Sequence, residues 1–211
     1  MQTILPVLMI VLFAGVFSLI ILLSIRQQKK GRENLARLAQ TLGLAVPEPP
    51  SGFFARMAMP AAATGSCKGR QLRLFNYTTG SGKSRVTWSA LAVSAQNPGG
   101  LTLKVGRENL LTRAGRVFGV DDIATGDSLF DDQFYLKSND AGYIRAAFIP
   151  EVRAQFIEAW KNGARGSIQL ERAEVKYAEP GSFSSEKICA RLAGMVELAC
   201  VVADVVEARG R

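Results

Sequence analysis

The sequence contains no histidine among its 211 residues and only three cysteines. Histidine is the usual general base near neutral pH and the commonest protein ligand of zinc, so its absence excludes Ser-His and Cys-His nucleophiles. Cys189 and Cys200 fall on nearly the same face of a predicted helix, too far apart for a disulfide bond, and Cys67 stands alone. We expect three unpaired thiols, as in a reducing compartment.

Charge is also absent from a long stretch near the amino terminus. Ile4 to Ile25 contains no charged residue, and at about 1.5 Å per residue a helix of this length crosses the roughly 30 Å hydrocarbon layer of a bilayer. The first three residues carry no basic side chain, and the apolar run is longer than that of a cleaved signal peptide. The sequence therefore predicts a permanent single-pass transmembrane anchor.

A basic cluster follows this apolar run. Arg26, Lys29, Lys30 and Arg32 come before the first acidic residue of the chain. Such clusters stay on the cytoplasmic side and contact anionic lipid headgroups. We therefore expect a protein of the inner (cytoplasmic) membrane with its amino terminus outside, its main domain in the cytoplasm and membrane lipids among its partners.

Small residues interrupt the apolar run. Ala14 and Ser18 are spaced as a small-x-x-x-small pair beside Gly15. This pattern allows the backbone of a second transmembrane helix to approach closely. It predicts an integral-membrane protein partner.

The predicted domains are residues 1–25 as the anchor, 26–50 as a juxtamembrane segment and 51–211 as a cytoplasmic domain. In the second of these, Glu33–Leu44 has an apolar stripe of helical period, followed by the proline-rich connector Pro47–Gly52. This short helix either continues the anchor or packs on the edge of the domain.

In the third domain the apolar period changes to two, which predicts β-strands. The predicted strands are Thr64–Lys68, Gln71–Thr79, Arg85–Ala95 and Leu101–Val105, forming an antiparallel meander, then Phe134–Ser138 and a hairpin of Ser167–Leu170 with Ala173–Tyr177. The predicted helices are Ala141–Phe148, Glu151–Asn162 and Glu186–Ala208, the last capped by Ser184 or Ser185. The fold class is α+β, a mainly antiparallel sheet packed by helices that include a long carboxy-terminal one.

The stretch Thr78–Arg85, TTGSGKSR, ends like a phosphate-binding loop. A Walker A motif requires a glycine where Tyr77 stands, and its lysine must open a helix. The residues after Ser84 alternate as a strand does, so the glycines favour a hairpin turn. We therefore expect no nucleotide as a partner. No nucleic acid is expected either, because the domain is only mildly basic outside the juxtamembrane cluster.

Carboxylates are concentrated in VDDIATGDSLFDDQF, at Asp121, Asp122, Asp127, Asp131 and Asp132. Oxygen ligands of this kind bind hard cations, but the spacing does not match an EF-hand loop. The structural interpretation is that Asp and Gly shape turns while Phe130 and Phe134 anchor the loop in the core. We therefore assign no catalytic, cofactor-binding or metal-binding residue.

The same passage carries a resemblance. Thr125-Gly126-Asp127, Phe130-Asp131 and Phe134, with a helix ending near Phe148-Ile149-Pro150, resemble a loosely defined bacterial family of uncharacterised domains with "tGD..FD..F" cores, often attached to membrane anchors. The likeness spans residues 115–205. It implies an α+β domain in a membrane setting and no assigned chemistry.

The function expected from these features is that of a non-enzymatic binding or accessory subunit of a larger membrane complex, with no cofactor. One alternative is a metal-dependent enzyme that uses Asp127, Asp131 and Asp132. Another is a module that senses anionic lipids, because a β-meander closed by a helix is found in such proteins.

Overall fold

The computed structural model describes residues 4–48, 62–107 and 122–210. In chain order the helices and strands are α1 (Ile4–Leu42), β1 (Ala62–Cys67), β2 (Arg70–Thr79), β3 (Val86–Ser94), β4 (Leu103–Arg107), α2 (Ser128–Asp131), β5 (Phe134–Ser138), α3 (Ala141–Ala147), α4 (Pro150–Lys161), β6 (Ser167–Glu171), β7 (Glu174–Pro180) and α5 (Glu186–Ala208). These elements confirm the predicted α+β class. Two parts of the predictions, the connector from residue 49 onward and Asp121, lie outside the described residues.

The seven strands form one sheet in the order β1-β2-β3-β7-β6-β4-β5, and every neighbouring pair is antiparallel. The predicted meander is confirmed for β1 to β3 but is wrong for β4. The β6–β7 hairpin lies between β3 and β4, with Leu91 of β3 opposite Tyr177 and Val105 of β4 opposite Ile168. Alternation along a strand shows which side chains are buried, but it does not show which strand lies alongside.

One face of the sheet forms the core with α5. The buried side of α5 includes Leu192, Val196, Ala199 and Ala203, as its helical period predicts. Beside it, five aromatic rings pack within 6.2 Å of their neighbours: Phe130, Phe134, Phe148, Phe156 and Trp160. The core therefore joins the short helices after β4 to the sheet.

The predicted helices of the domain are present. Pro150 opens α4 in its first turn and α5 runs from Glu186 to Ala208, both as predicted. Ser185 is the residue before α5, but its side chain makes no capping hydrogen bond. Its carbonyl oxygen instead accepts hydrogen bonds from the N–H groups of Ile188 and Cys189.

Helix α1 is continuous from Ile4 to Leu42. The short helix predicted for Glu33–Leu44 is its last part, so it both continues the apolar run and packs on the domain. The helix ends where Gly43 adopts a positive φ of 67°, after which Ala45 pairs with Thr64 of β1. One helix among the described residues, α1, is long and apolar enough to cross a membrane.

Candidate functional site

Helix α1 has two parts with different surroundings. Every side chain from Leu12 to Lys30 is exposed, and we call this stretch the exposed half. In the docked half, Gly31 to Leu42, the side chains of Leu35 and Ala39 are each only 1% exposed. The change from one to the other occurs within a single turn of helix.

The docked half contacts both α5 and β1. Asn34 is 4% exposed, and its Nδ2 donates a hydrogen bond of 2.9 Å to the carbonyl oxygen of Phe183. A Cβ on Gly31 would lie 3.5 Å from the backbone nitrogen of Ser184, so the two backbones are close there. Apolar burial, a buried hydrogen bond and backbone proximity together fix the direction in which α1 leaves the domain.

The basic cluster lies at the boundary between the two halves. Arg26, Lys29 and Lys30 are exposed, and Arg32 is half-buried. Lys29 pairs with Glu33 of the same helix at 3.9 Å, and Lys30 pairs with Glu186 of α5 at 3.6 Å. These positions leave the cluster accessible from solvent, and its contact with lipid stays a prediction.

The small residues Ala14, Gly15 and Ser18 lie in the exposed half. A Cβ on Gly15 would have no atom within 4 Å. The surface around it is therefore open to another helix, and the predicted packing in the membrane stays a prediction.

The phosphate-loop look-alike forms the turn of the β2–β3 hairpin, and this prediction is confirmed. Thr79 pairs with Val86 at the end of the hairpin. Gly80 and Gly82 have φ values of 76° and 56°, a region that suits glycine. Ser84 closes the turn, because its N–H and hydroxyl donate to the carbonyl oxygen of Ser81 at 3.1 and 2.8 Å.

In the aspartate loop, Asp131 is surrounded by hydrogen-bond donors. Its carboxylate accepts from the N–H of Thr125 at 3.0 Å, from the Thr125 hydroxyl at 2.8 Å and from the N–H of Gly126 at 3.0 Å. Burial acts to raise the pKa of Asp131, but these hydrogen bonds to the charged form outweigh it, so the pKa lies below its usual value. The carboxylate thus closes the loop on itself.

Asp127 uses its two oxygens in different directions. Oδ1 accepts from the N–H of Leu129 at 3.1 Å and caps α2, while Oδ2 accepts from Nε of Arg153 at 2.9 Å. Arg153 also donates to the carbonyl oxygen of Phe148 at 2.6 Å, which connects the loop to the start of α4. With Phe130 buried below, the Thr-Gly-Asp pattern has a structural explanation.

Asp132, the third carboxylate of the enzyme alternative, is exposed and follows α2. Within residues 4–48, 62–107 and 122–210, no group of three or more His, Cys, Asp or Glu side chains is placed to hold a metal ion. The loop therefore provides caps and an ion pair, rather than converging carboxylates.

Sequence reasoning missed a buried ion pair at the end of β7. Glu179 is 0% exposed and accepts from Nε and Nη2 of Arg191 at 3.0 and 2.9 Å. The Tyr177 hydroxyl also donates to it at 3.0 Å. Burial, followed by the nearby Glu179 charge, raises the pKa of Tyr177. All of these groups are satisfied internally, as a buried charge requires, so the cluster holds β7 against α5.

Cys67 is far from the other two cysteines in the sequence but lies close to one of them in the fold. Its Sγ lies 3.9 Å from Sγ of Cys200 across the interface between β1 and α5, and all three cysteines are free thiols, as predicted. Burial raises the pKa of Cys200 to about 11, which keeps this thiol protonated at neutral pH.

The fold is shared with a protein of known structure. No family model matches the chain, and no curated protein matches it. The chain is similar to the crystal structure of the mycobacterial trehalose monomycolate transport factor A, TtfA, with a TM-score of 0.56 and 12% sequence identity. The likeness covers 82% of this chain and 93% of that one. At this identity the similarity establishes the fold alone.

Proposed function

We propose that the protein is a single-pass, membrane-anchored accessory or binding subunit of a larger membrane complex and that it is not an enzyme. Its anchor is Ile4–Ile25, its amino terminus lies outside the inner membrane and its α+β domain lies in the cytoplasm. One observation carries the proposal: a continuous helix leaves the domain, is exposed from Leu12 to Lys30 and apolar as far as Ile25, and is docked on the domain from Gly31 to Leu42.

The exposed half has a large apolar surface that is unfavourable in water. Phe13 and Phe17 are 67% and 66% exposed, and leaving each such side chain in water rather than burying it costs about 1.5–3 kcal/mol. Leucines and isoleucines surround them on all sides of the helix, so packing against one partner would still leave apolar surface in water. A bilayer covers the whole circumference, which supports membrane anchoring.

The docked half supports a role in assembly. Because Leu35, Leu38 and Ala39 are part of the core, the domain is not free to swivel about the anchor. A fixed orientation lets the domain present one surface to a neighbour in the membrane. The small residues Ala14, Gly15 and Ser18 give the anchor a place where a partner helix would pack.

The structural neighbour is described as a mycobacterial trehalose monomycolate transport factor. We propose an accessory role of the same general kind here, with an integral-membrane protein as the partner. The resemblance to membrane-anchored domains with a "tGD..FD..F" core agrees with this setting.

Gentle detergent extraction followed by native mass analysis tests the proposal. We expect the full chain in a particle with at least one other integral-membrane protein. Gly15→Leu should release that partner, whereas Leu22→Ala, a change elsewhere in the exposed half, should retain it. A strictly monomeric wild-type particle would contradict the proposal.

Topology has its own test. Protease added to intact cells should leave the domain uncut, and protease added after the inner membrane is permeabilised should digest it. Digestion of the domain in intact cells would contradict the cytoplasmic location.

The non-enzymatic part of the proposal rests on the aspartate loop, whose carboxylates bind the loop and Arg153. Calorimetric titration of the full chain with Mg²⁺, Mn²⁺ and Ca²⁺ should give no binding heat. Heat that disappears in Asp132→Asn, a change at the exposed carboxylate, would favour the metal-dependent alternative instead.

A further inference from the structure

The turn between β2 and β3 is an exposed, ordered and basic projection. Every residue from Thr78 to Thr87 is exposed, and this stretch carries Lys83 and Arg85 but no acidic residue. Within the described ranges, neither of these two cations has an ion-pair partner. The hydrogen bonds of Ser84 to Ser81 hold the turn in one shape. The projection therefore presents two positive charges without ion-pair partners beyond this end of the sheet.

This turn lies at the end of the sheet that borders the start of the docked half. Trp88 of β3 pairs with Pro180 of β7, and the N–H of Gly181 donates to the carbonyl oxygen of Thr87 at 2.8 Å. The chain then passes directly to Phe183, whose carbonyl oxygen accepts from Asn34 of α1. The hairpin and the exposed half thus lie near the same end of the domain.

The direction of α1 also places the hairpin and the exposed half at the same end of the domain. After α1, Ala45 pairs with Thr64 of β1, which lies opposite Arg73 of β2 and, one strand further, Ala92 of β3. At its other end the docked half begins at Gly31, which lies close to Ser184, just after the Pro180 that pairs with Trp88. Going back along the chain from Ala45 through α1 to Gly31 is therefore moving in the direction from Ala92 to Trp88 of β3. The hairpin points the way that the exposed half leaves the domain.

The hairpin projects past the sheet by about as much as the basic cluster projects past the docked half. The β2–β3 pairing continues two residues beyond the Trp88–Pro180 pair, which is about 7 Å at about 3.4 Å per residue. Arg26 precedes Gly31 by five residues of helix, which is a similar length, about 7.5 Å at about 1.5 Å per residue. The turn extends past the sheet by the distance that separates Arg26 from the docked half.

The base of the hairpin has the composition of a membrane interface. Tyr77 and Trp88 are half-buried and stacked, with ring centroids 6.2 Å apart, and Val86 beside them is 39% exposed. Tyrosine and tryptophan are enriched at the level of lipid headgroups because one end of each ring is apolar and the other is polar. Basic residues at the tip with aromatic residues behind them fit a headgroup layer.

We infer that the Gly80–Arg85 turn is a second membrane contact, in which Lys83 and Arg85 bind the phosphate groups of anionic lipids. This inference rests on the proposed membrane anchoring. The domain then touches the bilayer at two points, the anchor with its basic cluster and the hairpin, and its surface is held at a fixed height and tilt. The partner is a lipid surface, because the two cations lie near the end of the domain from which the exposed half leaves.

Hydrogen–deuterium exchange of the full chain in nanodiscs tests this contact. Discs of phosphatidylcholine alone are compared with discs that also contain phosphatidylglycerol. We expect amides of residues 80–85 to exchange at least about fivefold more slowly in the anionic discs, the effect of roughly one bound basic residue. The turn at residues 97–100 lies at the opposite end of β3 and should exchange equally in both.

Variants give the matched control. Lys83→Gln with Arg85→Gln should abolish the lipid dependence of residues 80–85. Arg172→Asn removes an exposed charge from the β6–β7 turn at the far end of the sheet and should leave that dependence unchanged; asparagine tolerates the positive φ of 56° at this position.

The outcomes separate this inference from the proposed function. A chain that remains in the discs but whose 80–85 exchange is the same in both lipids overturns the hairpin contact alone. Equal slowing at residues 80–85 and 97–100, or slowing that persists in the double variant, also overturns it. A chain that is not retained in the discs overturns membrane anchoring and the hairpin contact together.

Discussion

The two halves of α1 share one helical backbone and differ in everything around it. From Leu12 to Lys30 all side chains are exposed, and Phe17 is 66% exposed, whereas Leu35 is 1% exposed. The exposed half contacts the domain through the Lys30–Glu186 ion pair at its end, whereas the docked half is part of the core. A single element can therefore belong to two environments, and the stability of the domain should depend on only one of them.

The largest expected effect comes from the core contact of the docked half. Leu35→Ala should lower the free energy of unfolding of the domain by about 2–5 kcal/mol, because it removes a buried side chain and leaves a cavity. Leu22→Ala, at a position 56% exposed, should leave it unchanged. Thermal unfolding in detergent followed by tryptophan fluorescence measures this, since Trp88 and Trp160 both lie in the domain. Equal losses in both variants would show that the halves are not distinct.

An intermediate effect should follow from the buried hydrogen bond. Asn34→Ala removes the donor to the Phe183 carbonyl oxygen, 2.9 Å away, and should cost about 1–2 kcal/mol because that acceptor is left without its partner. Ser18→Ala makes a similar change of polarity in the exposed half and should have no effect on domain unfolding. A midpoint in Asn34→Ala equal to that of the wild type would contradict the fixed docking of α1.

The smallest effect should come from the charges at the boundary. Lys30 and Glu186 join α1 to α5 at 3.6 Å, and both side chains are more than half exposed. Lys30→Ala should therefore cost less than about 1 kcal/mol, and the loss should shrink further in high salt. Chemical denaturation at low and high salt measures this small difference. A loss as large as that of Asn34→Ala would show that Lys30 belongs to the docked half.

The sequence was sufficient for the features that depend on local periodicity and turn chemistry. The apolar stripe of α5 predicted the residues at which this helix begins and ends. Gly80 and Gly82 indicated a hairpin turn, although the sequence around them resembles a nucleotide-binding loop. Phe130 and Phe134 were expected to anchor the aspartate loop, and both are buried. In each case residues close together in the sequence are enough to explain the feature.

Features that depend on distant partners could not be predicted. The ion pair of Glu179 with Arg191 and the proximity of Cys67 to Cys200 join strands to α5 from far along the chain. Asp127, at the start of α2, forms an ion pair with Arg153 of α4, and this pair depends on how the two helices pack. The continuity of α1 was left open because the basic residues after Ile25 interrupt its apolar pattern without interrupting its backbone.

The place of the β6–β7 hairpin has a consequence for synthesis on the ribosome. When β3 leaves the exit tunnel its free edge has no neighbour, because Ser94 must wait for Glu174 before that side of the strand is paired. During this interval the nascent chain exposes a template for wrong pairing, while its first helix is already available to the insertion machinery. Early capture of that helix at the membrane would keep unfinished copies apart until the missing strand arrives.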